Sequence, residues 1–339
     1  LAPRCYGMHR MRLLFDKGAL FYGEYNLALF FFLVFHKYDL VVSNDLDTLP
    51  ACYLANLASH PFAKRAARGS AVQKRVSHLH DCHEYFRGVP ELVGRKTVTG
   101  IWKWIEGRIF PKLPAVVAVN SSVANLYSSE FGNKIEVIRN VPFRKSSAIA
   151  LERSSLDILP GQKIILYQGA VNVDRGLEEA ILSMKHIESD AILVIAGTGD
   201  IFDKLVELTD TNGLKEKVRF LGQVPFGDLH AVTMTADLGL SIEKDVSINY
   251  HFCLPNKFLD YIQAMVPVLV SPFPEMKAIV DRYLIGDYLE SHDPAALAEK
   301  IDSMLNDPEK LAFYKKNMEK AARELCWENE ESRLLAMIS

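Results

Sequence analysis

Apolar residues recur in two kinds of run, and their alternation organises most of the chain. Asp39-Leu-Val-Val-Ser43 reads as a short buried strand, with Asn44-Asp-Leu-Asp47 at its carboxyl end. A helix is expected from near Thr48 or Pro50, over the Ala/Leu-rich ACYLANLA. The next strand is expected near Val76–Leu79, leading into His80-Asp-Cys-His-Glu-Tyr-Phe86. Ile101, Ile105 and Ile109 recur four apart with Trp102 on the adjoining face, which predicts a helix stopped at Pro111. Ala115–Val119 is a third strand, Asn120-Ser-Ser122 caps the helix after it, Gly132 ends that helix, and Ile135–Ile138 is a fourth strand. Repeated βα alternation with apolar strands predicts a parallel sheet covered on both faces.

The pattern lapses from Val141 to Gln162, which marks a linker, and resumes at Lys163-Ile-Ile-Leu-Tyr167. Ala191–Ala196 then leads to Gly197-Thr-Gly199, Val218–Leu221 to Gly222, Leu238–Ile242 to Glu243, and Val268–Ser271 to Pro272. This predicts an α/β protein of two doubly wound Rossmann-like domains facing across a cleft. Its boundaries are 1–142 for the first domain, 143–162 for the linker and 163–320 for the second domain. Ligands of open parallel sheets sit beyond the carboxyl strand ends, at the switch in strand order. A first βαβ unit with a glycine-rich turn would ordinarily precede the material seen here. No fixed-period repeat is visible.

Length and composition fit that plan. The 339 residues exceed one ordinary core, and 49% hydrophobic with 24% charged is a globular balance. The five cysteines, at 5, 52, 82, 253 and 326, are scattered without a Cys-x-x-Cys pair, which points to a reducing, cytoplasmic setting. Residues 1–150 hold 20 Lys and Arg against 11 Asp and Glu, while the rest hold 19 against 31. A basic half joined to an acidic half meets different partners. No acid lies between Asp47 and Asp81, where Lys64, Arg65, Arg68, Lys74 and Arg75 fall. That stretch, residues 60–78, is either a solvated loop or a contact for a membrane surface or phosphorylated acceptor. It lacks the interleaved aromatics and recognition module of a nucleic-acid binder, so no nucleic-acid partner is expected. The run Leu27–Phe35 is nine residues, short of the about 20 that span a bilayer, and reads as a core helix, with docking on a membrane surface as the alternative.

Candidate chemistry clusters at strand ends. Gln168-Gly-Ala-Val-Asn-Val-Asp-Arg-Gly176 is a strand-to-helix loop in which Gly169 permits close backbone approach. Arg175 brings a fork matched to phosphate oxygens. Leu254-Pro-Asn-Lys-Phe-Leu-Asp-Tyr261 starts another helix, with Pro255 in its first turn and Asn256 and Lys257 beside unpaired amides, a receiver for pyrophosphate. Asp260, one turn in, suits a ribose diol or serves as a solvent-facing carboxylate. His83 lies beside Asp81 and Glu84, either to hold a sugar hydroxyl or as a structural loop residue. Asp45 and Asp47 are placed to grip acceptor hydroxyls or to cap the next helix. His78, His80 and His83 match no metal-binding spacing, so no metal is expected.

These segments together resemble the retaining glycosyltransferases of family 4, of the two-Rossmann-domain type called GT-B. DCHEYF at 81–86 is similar to the segment carrying that family's active-site histidine, which puts His83 there. YQGAVNVDRGLEEAI at 167–181 resembles the donor phosphate loop, and AGTGD, VRFLGQVP and LPNKFLDYIQAMVPVLVS follow in the family's order. The resemblance implies donor contacts at Gly169, Ala170, Gly197, Gly199, Leu254, Pro255, Asn256 and Asp260. It implies charge stabilisation by Arg175 and Lys257 and an acceptor side including Asp45, Asp47 and Glu84. Two positions depart from the family. Ala170 stands where a basic residue is usual, and Phe252 stands where the first of two carboxylates is usual. Asn249, Tyr250 or His251 is left to cover the second departure, and Lys257 the first. CWENEESRLLAMI is similar to the family's terminal segment, so 321–339 is expected to return to the first domain.

The implied activity is transfer of a glycosyl group from a nucleotide diphosphate sugar, used as co-substrate, to a sugar or lipid-linked acceptor. Configuration would be retained, without cofactor or metal, in the cytoplasm or peripherally on the inner face of a membrane. An epimerase, a phosphorylase and a catalytically degraded nucleotide-sugar-binding protein share the plan.

Overall fold

The computed structural model describes residues 7–59, 77–89, 92, 95–145, 150–156 and 158–338. The basic cluster from Lys64 to Arg75 lies outside the described residues. The chain divides into two compact units, Leu1–Ile138 with Leu334–Ser339, and Arg139–Arg333.

The first unit is built on four parallel strands in the order β1 (Val41–Asn44), β2 (His78–Cys82), β3 (Ala115–Ala118), β4 (Glu136–Val137). Its helices are α1 (Gly18–Phe35), α2 (Asp45–Ser59), α3 (Lys96–Ile109) and α4 (Ser121–Phe131). Asn120 caps α4 by accepting the Val123 amide at 2.9 Å, and Gly132 closes it in the left-handed region at φ 74°. Both fill roles that the sequence predicts.

Three expectations need correction here. The second helix starts at Asp45, directly after β1, not at Thr48 or Pro50. Asp45 makes the turn at φ 55°, a conformation Asp tolerates better than most residues. Pro50 lies inside the helix without an N–H to give, and the Asn26 side chain bridges the neighbouring rung. Its amide donates to the Asp47 carbonyl at 2.9 Å and accepts from the Ala51 amide at 3.1 Å. The strand expected near Val76–Leu79 begins at His78 and runs on to Cys82. The run at Leu27–Phe35 is half of an 18-residue helix that is no core element. None of its residues is buried, and Leu20, Leu27, Phe31 and Phe35 are exposed. By length and composition alone, Gly18–Phe35 is long and apolar enough to cross a membrane.

The second unit holds six parallel strands in the order β10-β9-β8-β5-β6-β7. They are β5 (Lys163–Gln168), β6 (Ala191–Ala196), β7 (Val218–Gly222), β8 (Leu238–Ser241), β9 (Val268–Val270) and β10 (Gly286–Tyr288). The eight α-helices that lie wholly among its described residues are α5 (Leu177–Ser183), α6 (Phe202–Thr211), α7 (Phe226–Thr233), the single turn α8 (Ile248–His251), α9 (Asn256–Gln263), α10 (Pro274–Tyr283), α11 (Pro294–Leu305) and α12 (Pro308–Glu324). A further helix, α13 (Trp327–Ile338), starts in this unit and has its last residues, from Leu334, assigned to the first. β6 is buried at every position, as strands covered on both faces must be. From β5 the chain winds outward through β6 and β7, then returns to lay β8 against the other side of β5. That reversal puts the switch point between the ends of β5 and β8. Tyr261, fully buried, ties it together. Its hydroxyl donates to the Leu166 carbonyl at 3.0 Å and accepts the Gln168 amide at 3.2 Å.

Candidate active site

At the carboxyl end of β5 the chain turns through Gly169, whose φ of 118° favours glycine. Here it meets the turn after β6: a Cβ on Gly197 would lie 1.8 Å from the Gly169 carbonyl oxygen. Only glycine at 197 lets the two loops touch. A Cβ on Gly199 would likewise strike Asn172 and Val171, so both glycines of AGTGD are explained by loop packing. Ala170 is exposed, and its carbonyl accepts the Tyr167 hydroxyl at 2.6 Å.

Lys257 enters this turn from α9, its Cε 3.7 Å from the position a Gly169 Cβ would take. Its ammonium lies 4.1 Å above the Tyr167 ring and 2.6 Å from Glu243 Oε1. Arg175 Nη1 stands 3.7 Å from the same oxygen, and its guanidinium lies over the Tyr250 ring at 4.9 Å. Glu243, at the end of β8, has no exposed side-chain surface. Burial by itself would push its carboxyl up, yet the Lys257 ammonium and its hydrogen bond hold it below the ordinary range. Lys257 shows the reverse. Burial pulls it down, and the Glu243 charge more than restores it, so the ammonium stays protonated. Sequence reasoning noted Glu243 only as a strand end and missed this pairing.

The two helix starts differ. α5 is seven residues long and carries Glu178 and Glu179 in its first turn, which opposes an anion. α9 has no acid in its first turn and has Lys257 there. Pro255 sits just outside α9 as an extended N-cap rather than within its first turn, following Leu254. Asn256 is the first helical residue, and its Oδ1 accepts from Asn140 Nδ2 at 3.4 Å.

Beside this cluster is a cavity of about 360 Å³ lined by Gln168, Asn256, Asp260, Thr233, His230, Phe226, Lys145 and the segment Asn140–Phe143. Burial raises the Asp260 carboxyl to about 6, against the opposing pull of Gln168 and Lys145. Lys145 lies 5.8 Å from the centre of the Phe226 ring, and Phe226 is 87% exposed. Phe252 follows the single turn α8, whose His251 pairs with Asp245 at 2.8 Å.

In the first unit, His83, Asp81 and Asp45 come together at the carboxyl ends of β1 and β2. His83 Nε2 lies 3.2 Å from Asp81 Oδ2, and the His83 amide donates to Asp45 Oδ1 at 2.9 Å. The hydrogen bond to Asp81 outweighs partial burial and raises the imidazole above its ordinary range. Burial raises Asp45 to about 6. Asp47 sits apart, on the side of α2 where its charge acts on Tyr25 and Cys52. Glu84 lines a different, largely apolar cavity between α1 and α3. His78 and His80 are buried against Ser43 Oγ at 2.8 and 2.9 Å, and burial lowers them to about 4 and about 3.

A family model described as "Glycosyl transferases group 1" matches residues 149–324, just over half of the chain. The chain belongs to that family. It is 28% identical over 206 residues to the uncharacterised glycosyltransferase MJ1607 of Methanocaldococcus jannaschii, covering 57% of this chain and 51% of that protein. The chain thus spans about half the length of this curated relative. Among solved structures it resembles Anabaena HepE in complex with UDP and glucose, with TM-score 0.73, 14% identity and coverage of 94% and 82%. It also resembles a glycosyltransferase of Rickettsia africae, with TM-score 0.71, 15% identity and coverage of 98% and 84%. Sucrose-phosphate synthase of Thermosynechococcus elongatus gives TM-score 0.68, 19% identity and coverage of 92% and 76%. The fold is therefore GT-B, two Rossmann-like parallel-sheet domains, as the sequence predicts.

Proposed function

We propose that the second unit binds a nucleoside diphosphate sugar and that the protein transfers its glycosyl group to a sugar or lipid-linked acceptor with retention of configuration, as family 4 glycosyltransferases do. One observation carries this reading. Lys257, Arg175 and the acid-free start of α9 converge at the β5/β8 switch point, next to a cavity that holds Asp260. The diphosphate lies against the α9 amides, Lys257 and Arg175, where fixed positive charge stabilises the negative charge gathering on the leaving group. No metal is needed for that stabilisation. The nucleoside fills the neighbouring cavity, with its ribose hydroxyls on Asp260. Gly169, Ala170, Leu254, Pro255 and Asn256 contribute backbone around the diphosphate, with Gly197 and Gly199 behind them.

Within the first unit, His83, held by Asp81, binds a sugar hydroxyl, and Asp45 beside it belongs to the acceptor side. The work suits assembly of a surface polysaccharide in the cytoplasm, on the inner face of a membrane, which the exposed apolar residues of α1 favour. The test is a panel of nucleoside diphosphate sugars scored for protection against thermal unfolding, beginning with UDP-glucose, followed by turnover of each hit over an acceptor panel. A hexosyl donor should protect and then be consumed only with acceptor. Protection by none of them sinks the proposal.

A further inference from the structure

Two cations placed side by side at a partly desolvated site repel one another, and a buried ammonium without a counter-charge sheds its proton. Lys257 and Arg175 avoid both outcomes through one carboxylate. A single oxygen of Glu243, Oε1, stands 2.6 Å from Lys257 Nζ and 3.7 Å from Arg175 Nη1. The other oxygen, Oε2, accepts from Ser241 Oγ at 3.0 Å, and the Glu243 carbonyl accepts from Ser271 Oγ at 2.5 Å. The carboxylate is therefore fixed at both oxygens and through its backbone. Held this way it cannot swing away when an anion arrives.

We infer that Glu243 is a positioning residue of the donor site: it aims Lys257 and Arg175 at the diphosphate and cancels one of their two charges, so that the cleaved nucleotide is released. The inference rests on the donor-binding reading above. Two uncancelled cations would hold a diphosphate product more tightly than the substrate, since the product carries more negative charge. A counter-charge built into the floor of the site limits that trap and keeps both cations in place.

The measurement is binding of inorganic pyrophosphate by calorimetry to the full chain at low and high salt, together with kcat using any nucleotide sugar that protects the wild type. Glu243→Gln keeps the shape and removes the charge. Pyrophosphate should bind about ten-fold tighter at low salt, less so at high salt, while kcat falls. Glu243→Asp keeps the charge but withdraws it by one methylene. Pyrophosphate affinity should stay within about two-fold of wild type while kcat falls. A merely structural glutamate would instead weaken both readouts in step with lost thermal stability. Unchanged or weaker pyrophosphate binding in folded Glu243→Gln overturns the inference. Should that variant not fold, wild-type kcat in Glu243→Asp overturns it. Wild-type protein that binds neither pyrophosphate nor any nucleotide sugar removes the donor-binding reading, and this inference with it.

Discussion

Gln168 Nε2 donates to Asp260 Oδ2 at 3.2 Å, while the other end of the same amide accepts from Thr233 Oγ1 at 2.6 Å. The last residue of β5 therefore holds both α9 and α7, and it fixes the carboxylate proposed for ribose in one orientation. That carboxylate is held at a cost, because burial raises its pKa to about 6.

Asp260→Asn should separate stability from binding. The folded carboxyl titrates at about 6 against an ordinary 3.8, so ionisation at pH 7 opposes folding. The amide removes that cost, at most about 3 kcal/mol before allowing for solvent at this partly exposed group. The variant should melt higher than wild type at pH 7, with the gap closing as pH falls toward 4. Protection by the donor should weaken at pH 7, where the wild-type carboxyl is ionised. For the wild type, that protection should decline as pH falls through 6. Melting curves at a series of pH values, with and without nucleotide sugar, check both signs.

Arg175→Ala should slow transfer by about 10²–10³ in kcat. The melting temperature should hardly move, since the side chain's one ion partner among the described residues is 3.7 Å away and keeps Lys257. Steady-state kinetics beside a melting curve decide it, and unchanged kinetics remove Arg175 from the site.

Gly197→Ala should destabilise the second unit by about 2–4 kcal/mol. The new methyl would meet the Gly169 carbonyl at 1.8 Å, and backbone on both sides of the contact leaves nothing flexible to yield. Chemical denaturation gives the number. A loss below 1 kcal/mol would show that the two loops separate easily.

Asp81→Asn should lower the His83 pKa, because the hydrogen bond that His83 donates to the Asp81 carboxylate is the largest influence raising it. Imidazole proton resonances followed against pH report this directly. His78 and His80, neutral down to about 4 and about 3, serve as internal references.

Much of the fold was legible because strands buried on both faces announce themselves as unbroken apolar runs, and β5, β6 and β8 lie where those runs fall. β10 was missed: three residues, Gly-Asp-Tyr, carry no such run. The start of α2 was misplaced because Asp45 turns the chain in a left-handed conformation that no spacing rule reveals. The length of α1 was underestimated because Gly18, Gly23 and Glu24 interrupt its apolar pattern without stopping the helix. At the site, Arg175 and Lys257 stood out as cations at helix starts. Glu243 did not, since its meaning lies in a partner 14 residues away across a turn. A carboxylate closing the apolar run LGLSI was the available signal: a charge at a buried strand end needs a counter-charge.

β5 and β8 are neighbours in space, yet Ile165 pairs with Leu238, on the far side of two further strands and three helices. Sheets closed over such spans assemble late. During synthesis the early half of this unit leaves the ribosome with its central strand still lacking one flank, and the cation cluster cannot form until Lys257 has followed. A partly made chain therefore lacks the cation cluster proposed to hold the diphosphate, and on that reading ligand capture waits on completion of the fold.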